Sequence, residues 1–353
     1  MAYSLGVVTT TTQTGLAGPG AEDPYAVVST TVISSIADYA NCTKSVDITT
    51  NRFDTPGKMT FTTVEDSGIG IAEGSKVEFR DEEGNLEFVG FVFTAKRSRD
   101  GTVEYTAYDQ LRYLKAKASY TFENMTLGQI IQQIANDFGL TCGTLADTGY
   151  IFPSLIKENE TCLDIIFDAL EKTIVETGKI FVFYDNVGSL TLVEAKDMYT
   201  EIKLGDGSLL TDFSYKRDID SQTYNRVKLV RPNKESGRTD VYLHEDTENI
   251  GKWGLLQYYS KVNDNLNDAQ IDEMCAKYLE YYNRVLQTIS IDAIGVPGIR
   301  AGMIVPVEIA DVETLSYNRL LLAEKVSHKY EGADHTMSIE VRSFDQLGGI
   351  SIV

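Results

Sequence analysis

Few side chains in this chain combine the type and the spacing that chemistry needs. The 353 residues hold three histidines, His244, His328 and His335, and four cysteines, Cys42, Cys142, Cys162 and Cys275. A zinc site needs donors clustered as HExxH or as paired CxxC, so that three or four of them reach one ion. No such spacing occurs here. His328 falls in an alternating strand between Lys325 and Lys329, and His335 in a Gly-Ala-Asp turn region, so both read as solvated or strand-edge side chains. Cys162 and Cys275 lie on apolar helix faces, where cysteine behaves as a small hydrophobe. A reduced folding environment is the simplest account, with a Cys142–Cys162 disulfide as the alternative. The chain carries neither a GxSxG elbow nor a GxxxxGK[ST] loop. Gly68-Ile69-Gly70-Ile71-Ala72-Glu73-Gly74 lacks the third glycine of a dinucleotide fingerprint and leads into a strand. Phosphate would need a helix N-terminus there, so the stretch reads as a turn. No catalytic, cofactor-binding or metal-binding residue is assigned. Paired carboxylates of the glycosidase kind are arranged in space and leave no spacing signal. Among 52 acids, a cell-wall-degrading or glycan-binding protein therefore stands as the alternative reading.

The strongest pattern is a repeat. Val103-Glu104-Tyr105-Thr106-Ala107-Tyr108-Asp109-Gln110-Leu111 aligns without a gap on Ile339-Glu340-Val341-Arg342-Ser343-Phe344-Asp345-Gln346-Leu347, an offset of 236. Upstream, Ile71 to Val77 aligns on Ile299 to Val305 at an offset of 228, so the second copy carries 8 extra residues between the two matches. A long-period repeat implies one β module used twice. In this alignment Val103, Tyr105, Tyr108, Asp109 and Leu111 correspond to Ile339, Val341, Phe344, Asp345 and Leu347. Asp109 and Asp345 each follow a strand, where aspartate closes turns by accepting backbone amides. Tyr108 and Phe344 would then anchor the strands in a core. Two similar modules per chain allow three chains to make a ring of six.

The elements around the repeat follow from hydrophobic period. Residues 1–31, with Thr9 to Thr12 and then Gly15, Gly18, Pro19, Gly20 and Pro24, read as a flexible arm. Residues 32–117 alternate with period two, as in Lys76-Val77-Glu78-Phe79, and form a first β-barrel module. Residues 118–198 turn helical: Leu127, Ile130, Ile131, Ile134, Ala135 and Phe138 share a face, Thr126 and Gln129 suit a capping box, and Gly139 stops the helix. A second helix runs from Thr161 to Gly178, and a hairpin over 179–193 completes an α+β insert. Thr126 and Thr161 belong to Asn-x-Thr triplets that are helix caps rather than glycan acceptors. Residues 199–347 return to β, opening with the strand Tyr224 to Val230, as a second barrel module with an inserted helix over 268–286 capped by Asp268; 348–353 are a tail. The expected fold class is thus mixed β and α+β, two similar tube-like barrels flanking an insert.

Net charge is −20, which disfavours direct nucleic-acid binding, since phosphate is held by cations. No apolar run approaches the roughly 18 residues of a membrane helix, and the N-terminus lacks the features of a secretory signal.

Arg52-Phe53-Asp54-Thr55-Pro56-Gly57-Lys58-Met59-Thr60-Phe61 resembles the PG-x-[LM]-x-F segment near the start of phage tail hub proteins. Ala107 to Lys115 is similar to the A-Y-D-x-L-x-Y-L stretch of XkdQ-type hubs of Gram-positive prophages, and Thr126 to Leu140 and Tyr224 to Val227 resemble the helix and strand that follow it. The resemblance covers about residues 32–345 and extends to the late-control protein D hubs of contractile tails. It implies a structural, non-enzymatic homotrimer without cofactors, a pseudo-sixfold adaptor between a hexameric tail tube and a trimeric central spike. The implied partners are the tail tube protein, the central spike protein and baseplate wedge or LysM-type baseplate proteins. The implied location is the baseplate of a virion or phage-tail-like particle made in the bacterial cytoplasm.

Overall fold

A computed structural model describes residues 3–16, 27–64, 70–233, 238–262, 266–310 and 319–343. The chain begins with β1 (Tyr3–Leu16) and β2 (Val27–Asp38), followed by β3 (Thr43–Asn51), β4 (Lys58–Val64), β5 (Lys76–Asp81), β6 (Leu86–Arg97) and β7 (Thr102–Tyr108). β8 (Lys117–Thr126), α1 (Leu127–Asp137), β9 (Cys142–Leu145), β10 (Ile151–Thr161), α2 (Cys162–Thr177), β11 (Phe181–Asp185) and β12 (Leu190–Glu194) form the insert. Then come β13 (Leu204–Gly205), β14 (Leu210–Asp218), β15 (Arg226–Asn233), β16 (Arg238–Glu245), α3 (Thr247–Trp253), β17 (Gln257–Lys261) and α4 (Asp268–Tyr282). β18 (Leu286–Ile294), β19 (Ile304–Glu308), β20 (Arg319–Glu331) and β21 (Asp334–Ser343) end the described chain.

The protein is mostly β. Thirteen strands share one sheet, ordered β14-β18-β21-β20-β3-β4-β7-β6-β5-β1-β2, with β19 beside β20 and β13 beside β19. The expected barrels are not closed within the chain. Closure would require the two end strands of a module to pair with each other. In the first module both outer edges are taken instead, β5 by β1 and β3 by β20. Two cores follow the alternation on the strands: Val46, Met59, Phe61, Val77, Phe79 and Tyr105 in the first module, and Ile291, Val305, Val326, Ile339 and Val341 in the second.

Residues 1–31 were expected to be an arm that could not bury a core. Instead Tyr3, Leu5 and Val7 are buried where β1 pairs with β5, Tyr3 against Asp81 through Val8 against Lys76. Three alternating apolar residues at the start outweigh the Thr-rich and Gly-rich composition that follows them. The Phe344 to Leu347 repeat ending and the 348–353 tail lie outside the described residues.

The insert folds around the face of α1 and α2. Thr126 and Gln129 form the reciprocal capping box, and α2 ends at Gly178 with φ 65°. Ile165, Ile166, Ala169 and Leu170 of α2 are buried against Leu127, Ile130 and Ile134 of α1, each large aliphatic side chain contributing about 1.5–3 kcal/mol. All four cysteines are free, so no disulfide joins Cys142 to Cys162. The strand expected to open the second barrel does not join the large sheet. β15 pairs with β16 and β17 in a separate three-stranded sheet, packed on α4 through Val227, Leu229, Ile271 and Cys275. The cap of α4 is Asn267, with Gln270 completing a capping box, rather than Asp268. The helix stops at Tyr282, and Leu286 already belongs to β18.

Candidate functional site

The two modules use one strand order, β5-β6-β7-β4-β3 in the first and β19-β20-β21-β18-β14 in the second. Their irregularities also coincide. The register slips between Thr43 and Ser45 on β3, and between Leu210 and Asp212 on β14. It slips between Val92 and Thr94 on β6, and between Ala323 and Lys325 on β20. The Gly74 N–H donates to the Val92 carbonyl at 2.7 Å, and the Gly302 N–H to the Ala323 carbonyl at 2.7 Å. Bulges are built features of a sheet, so they fix the superposition. Val92 faces Ala107 and Ala323 faces Val341, which places Ala107 on Val341 and Tyr105 on Ile339. The offset is 341 − 107 = 234, two fewer than the ungapped match of sequences. A shift of two leaves every side chain on its own face, so hydrophobic alternation could not reveal it.

Tyr105 is buried and stacks on Phe61 with centroids 5.0 Å apart; Ile339 and Val341 are fully buried in the second core. Val103 is half-buried against the first core. Tyr108, expected to anchor that core, is on the opposite face, edge-on to Phe93 at 5.6 Å, because strand side chains alternate. Buried Asp109 accepts from the N–H of Gly57 at 2.8 Å and of Leu111 at 3.0 Å, capping the short 3-10 turn Gln110–Lys115, within which Leu111 is buried. Phe344, Asp345 and Leu347 lie outside the described residues.

The modules meet where β20 pairs with β3, Lys325 opposite Asn51 through Glu331 opposite Ser45. The end of β20 thereby places Tyr330 in the first module's core, 4.7 Å from Phe79 between ring centroids. Two contacts lock the joint. The Arg52 guanidinium donates to both oxygens of Glu324 at 2.9 and 2.8 Å, with Arg52 only 4% exposed. The Ala301 N–H donates to the Thr50 hydroxyl at 3.0 Å. Short bidentate pairs of this kind are the stronger class of ionic hydrogen bond.

A polar cluster lies beside the joint. Gln110 donates to Asp185 at 2.8 Å, and half-buried Arg300 donates to the Asp185 carbonyl at 3.1 Å with its guanidinium 3.9 Å from the Tyr184 ring centroid. Burial, reinforced by the neighbouring Asp185 charge, pushes the Asp109 carboxyl well above the usual carboxylate range; burial also raises Asp185. His328 is buried rather than solvated. Its Nε2 lies 2.6 Å from the Ile299 carbonyl and must donate to it, so its Nδ1 accepts from His335 Nε2 at 2.9 Å. In this arrangement His328 is neutral, and the lowered pKa of His335 keeps that ring neutral near pH 7. Burial lowers His328, and burial followed by the His328 ring lowers His335 to about 4. The residues joined by the two locking contacts and by this cluster lie up to 272 residues apart (324 − 52), and no spacing rule could have paired them.

A groove of about 670 Å³ runs between β10, α2 and the β15–β17 sheet. In it Glu171 accepts from the Tyr282 hydroxyl at 2.7 Å, and burial raises its carboxyl. Lys157 holds both Glu160 and Asp168, so the groove's three carboxylates already have partners. Among the described residues no group of three His, Cys, Asp or Glu is arranged to hold a metal, and no helix is long and apolar enough to cross a membrane.

The YQBQ-like family pattern matches residues 46–342. The chain is 31% identical over 306 residues to the uncharacterized protein YqbQ of Bacillus subtilis strain 168, covering 85% of this chain and 91% of that protein. It is 31% identical over 305 residues to the phage-like element PBSX protein XkdQ of the same organism, covering 84% and 91%. Among solved structures, the 43 kDa tail protein of prophage MuSo2 from Shewanella oneidensis shares the fold, with a TM-score of 0.66 at 16% identity over 98% of this chain and 99% of that one. The similarity is thus to phage tail and phage-like-element proteins over most of the length.

Proposed function

The chain belongs to the YQBQ-like family, and on that premise we propose that it is the structural baseplate hub of a phage tail or phage-tail-like particle. Three copies close into a pseudo-sixfold ring of six modules that joins a hexameric tail tube to a trimeric central spike. One observation carries this reading: two modules of one strand order are already joined edge to edge inside a single chain. A joint that works once can work again between copies, and a head-to-tail contact closes into a ring when its repeated rotation comes full circle. The barrel expected for each module is on this reading completed by neighbouring modules. The tail tube and spike proteins bind the two rims, and the insert faces wedge or LysM-type baseplate proteins. The net charge of −20 suits a lumen that does not retain a passing polyanion. The particle is of the contractile kind, assembled in the host cytoplasm.

Native mass of the purified protein tests the ring. A trimer of about 118 kDa (3 × 39.2) is expected, and six similar lobes around a hole should be visible by imaging; a stable dimer refutes it. A muralytic enzyme is the second reading, favoured only by the raised Glu171 carboxyl in its groove. Zymography on bacterial cell walls should show no clearing; clearing that disappears in Glu171→Gln would establish that reading instead.

A further inference from the structure

Inside the chain, the far half of β20 accepts β3 of the other module, beyond the point where its hairpin partner β19 ends. One acceptor and one donor of the same kind remain unmatched among the described residues. β5 leaves β6 at Lys76 opposite Phe91, with Ser75 still bonded to Val92, so no described strand pairs with Phe93 to Lys96 on that side. β14, the counterpart of β3, is an end strand of the large sheet. We propose that β14 of one copy pairs antiparallel with Phe93 to Arg97 of β6 in the next copy, in the register of the internal joint. This inference rests on the ring reading above and adds to it which edges meet and how.

The superposition moves β20 onto β6 by 323 − 92 = 231 and β3 onto β14 by 210 − 43 = 167. Lys325 opposite Asn51 then becomes Thr94 opposite Asp218, and Val326 opposite Thr50 becomes Ala95 opposite Arg217. Ser327 opposite Thr49 becomes Lys96 opposite Lys216, and His328 opposite Ile48 becomes Arg97 opposite Tyr215. The residues that lock the internal joint are replaced in matched pairs. Arg52 and Glu324 transfer to Ile219 and Phe93, so an ion pair gives way to an apolar pair with both partners changed together. Thr50 and Ala301 transfer to Arg217 and Glu73, so a hydroxyl–amide contact gives way to opposite charges. The facing Lys96 and Lys216 each have an acid at hand: Glu104 lies opposite Lys96 on β7, and Asp218 is 3.0 Å from Lys216.

Exposure agrees. Val46 and Ile48 of β3 are 0% and 5% exposed under the internal joint, whereas their counterpart Tyr215 on β14 is 39% exposed and Phe213 half-exposed. Thr94 to Arg97 are likewise exposed. A strand edge left open in this way, with its aromatic residues part-exposed, is a site for pairing with another chain.

Disulfide trapping in the full chain tests the register. Directly opposed residues have Cβ atoms about 4.5–5.5 Å apart, close enough for a disulfide, whereas diagonal neighbours two residues along are about 7–8 Å apart. The double variant Ala95→Cys/Arg217→Cys is compared with the displaced pair Ala95→Cys/Tyr215→Cys, each single variant and the parent, which reports on the native cysteines. Under mild oxidant the matched pair is expected to give at least tenfold more reducible dimer and trimer than any other protein, with a ladder ending at trimer. If the proteins are trimeric by native mass but the matched pair cross-links no faster than the displaced one, the joint is wrong and the ring reading survives. If the reduced proteins and the parent run as single chains at every concentration, the ring reading falls and the joint with it.

Discussion

The Arg52–Glu324 pair should hold the two modules together, and a double-mutant cycle measures it. Arg52 is 4% exposed and the Glu324 side chain 14%, with both guanidinium bonds under 3 Å. Replacing Arg52 by Met keeps most of the stem's packing but strands a largely buried carboxylate. Orphaning a fully buried charge costs about 3–5 kcal/mol. Glu324 retains some water, so about 2–3 kcal/mol is expected for Arg52→Met, including the lost contact with the Phe53 ring 4.2 Å away. Glu324→Leu should cost a similar amount, because it strands the cation. The double variant leaves no orphan and should lie within about 1 kcal/mol of the parent, a coupling of about 2 kcal/mol or more. Urea unfolding of the four proteins gives the energies, with equal slopes required so that the same surface is compared. Hydrogen exchange in β3 and β20 locates the effect. A coupling below about 0.5 kcal/mol, the size seen for exposed pairs, would refute the view that this pair locks the joint.

Two further predictions follow from the same region. His335 titrates near 4 in the folded chain against 6.5 unfolded, so its contribution is complete above about pH 6.5 and is lost as pH falls toward 4. The ring is half in water, which reduces the effect to about 1–2 kcal/mol; His335→Gln should flatten the fall in urea midpoint between pH 7 and 4.5, and an unchanged slope would contradict the neutral His328–His335 pair. Gly74 and Gly302 occupy the same place in the two modules with φ of 84° and 91°. A Cβ on Gly74 meets nothing within 4 Å, while one on Gly302 falls 2.4 Å from Val182 Cγ1. Gly74→Ala should therefore cost about 1 kcal/mol from backbone strain alone and Gly302→Ala about 2–4 kcal/mol in urea unfolding, the clash with Val182 making the difference. Equal costs would exclude that contact.

What was legible in the sequence was local. Thr126 and Gln129 announce α1 because a cap is made by residues three apart, and Gly178 announces the end of α2 because a positive φ favours glycine. The α4 cap was misplaced by one residue because Asn267 and Asp268 are both good caps and only the backbone decides between them. The N-terminal strand was missed because three buried side chains, Tyr3, Leu5 and Val7, precede a longer stretch of Thr and Gly. His328 was read as solvated because its strand neighbours are lysines; its burial comes from the Ile299 segment packed against it.

By itself the sequence determined that one β module occurs twice, with an α+β insert between the copies, since alternation, caps and repeated residues are properties of short windows. Only the tertiary structure decided that the copies share one sheet through β20 and β3, that their true register is two residues from the ungapped match, and that Arg52 meets Glu324. Pairing between strands depends on which edges are left open once every shorter connection has been made, and a period-two pattern is unchanged by a slip of two.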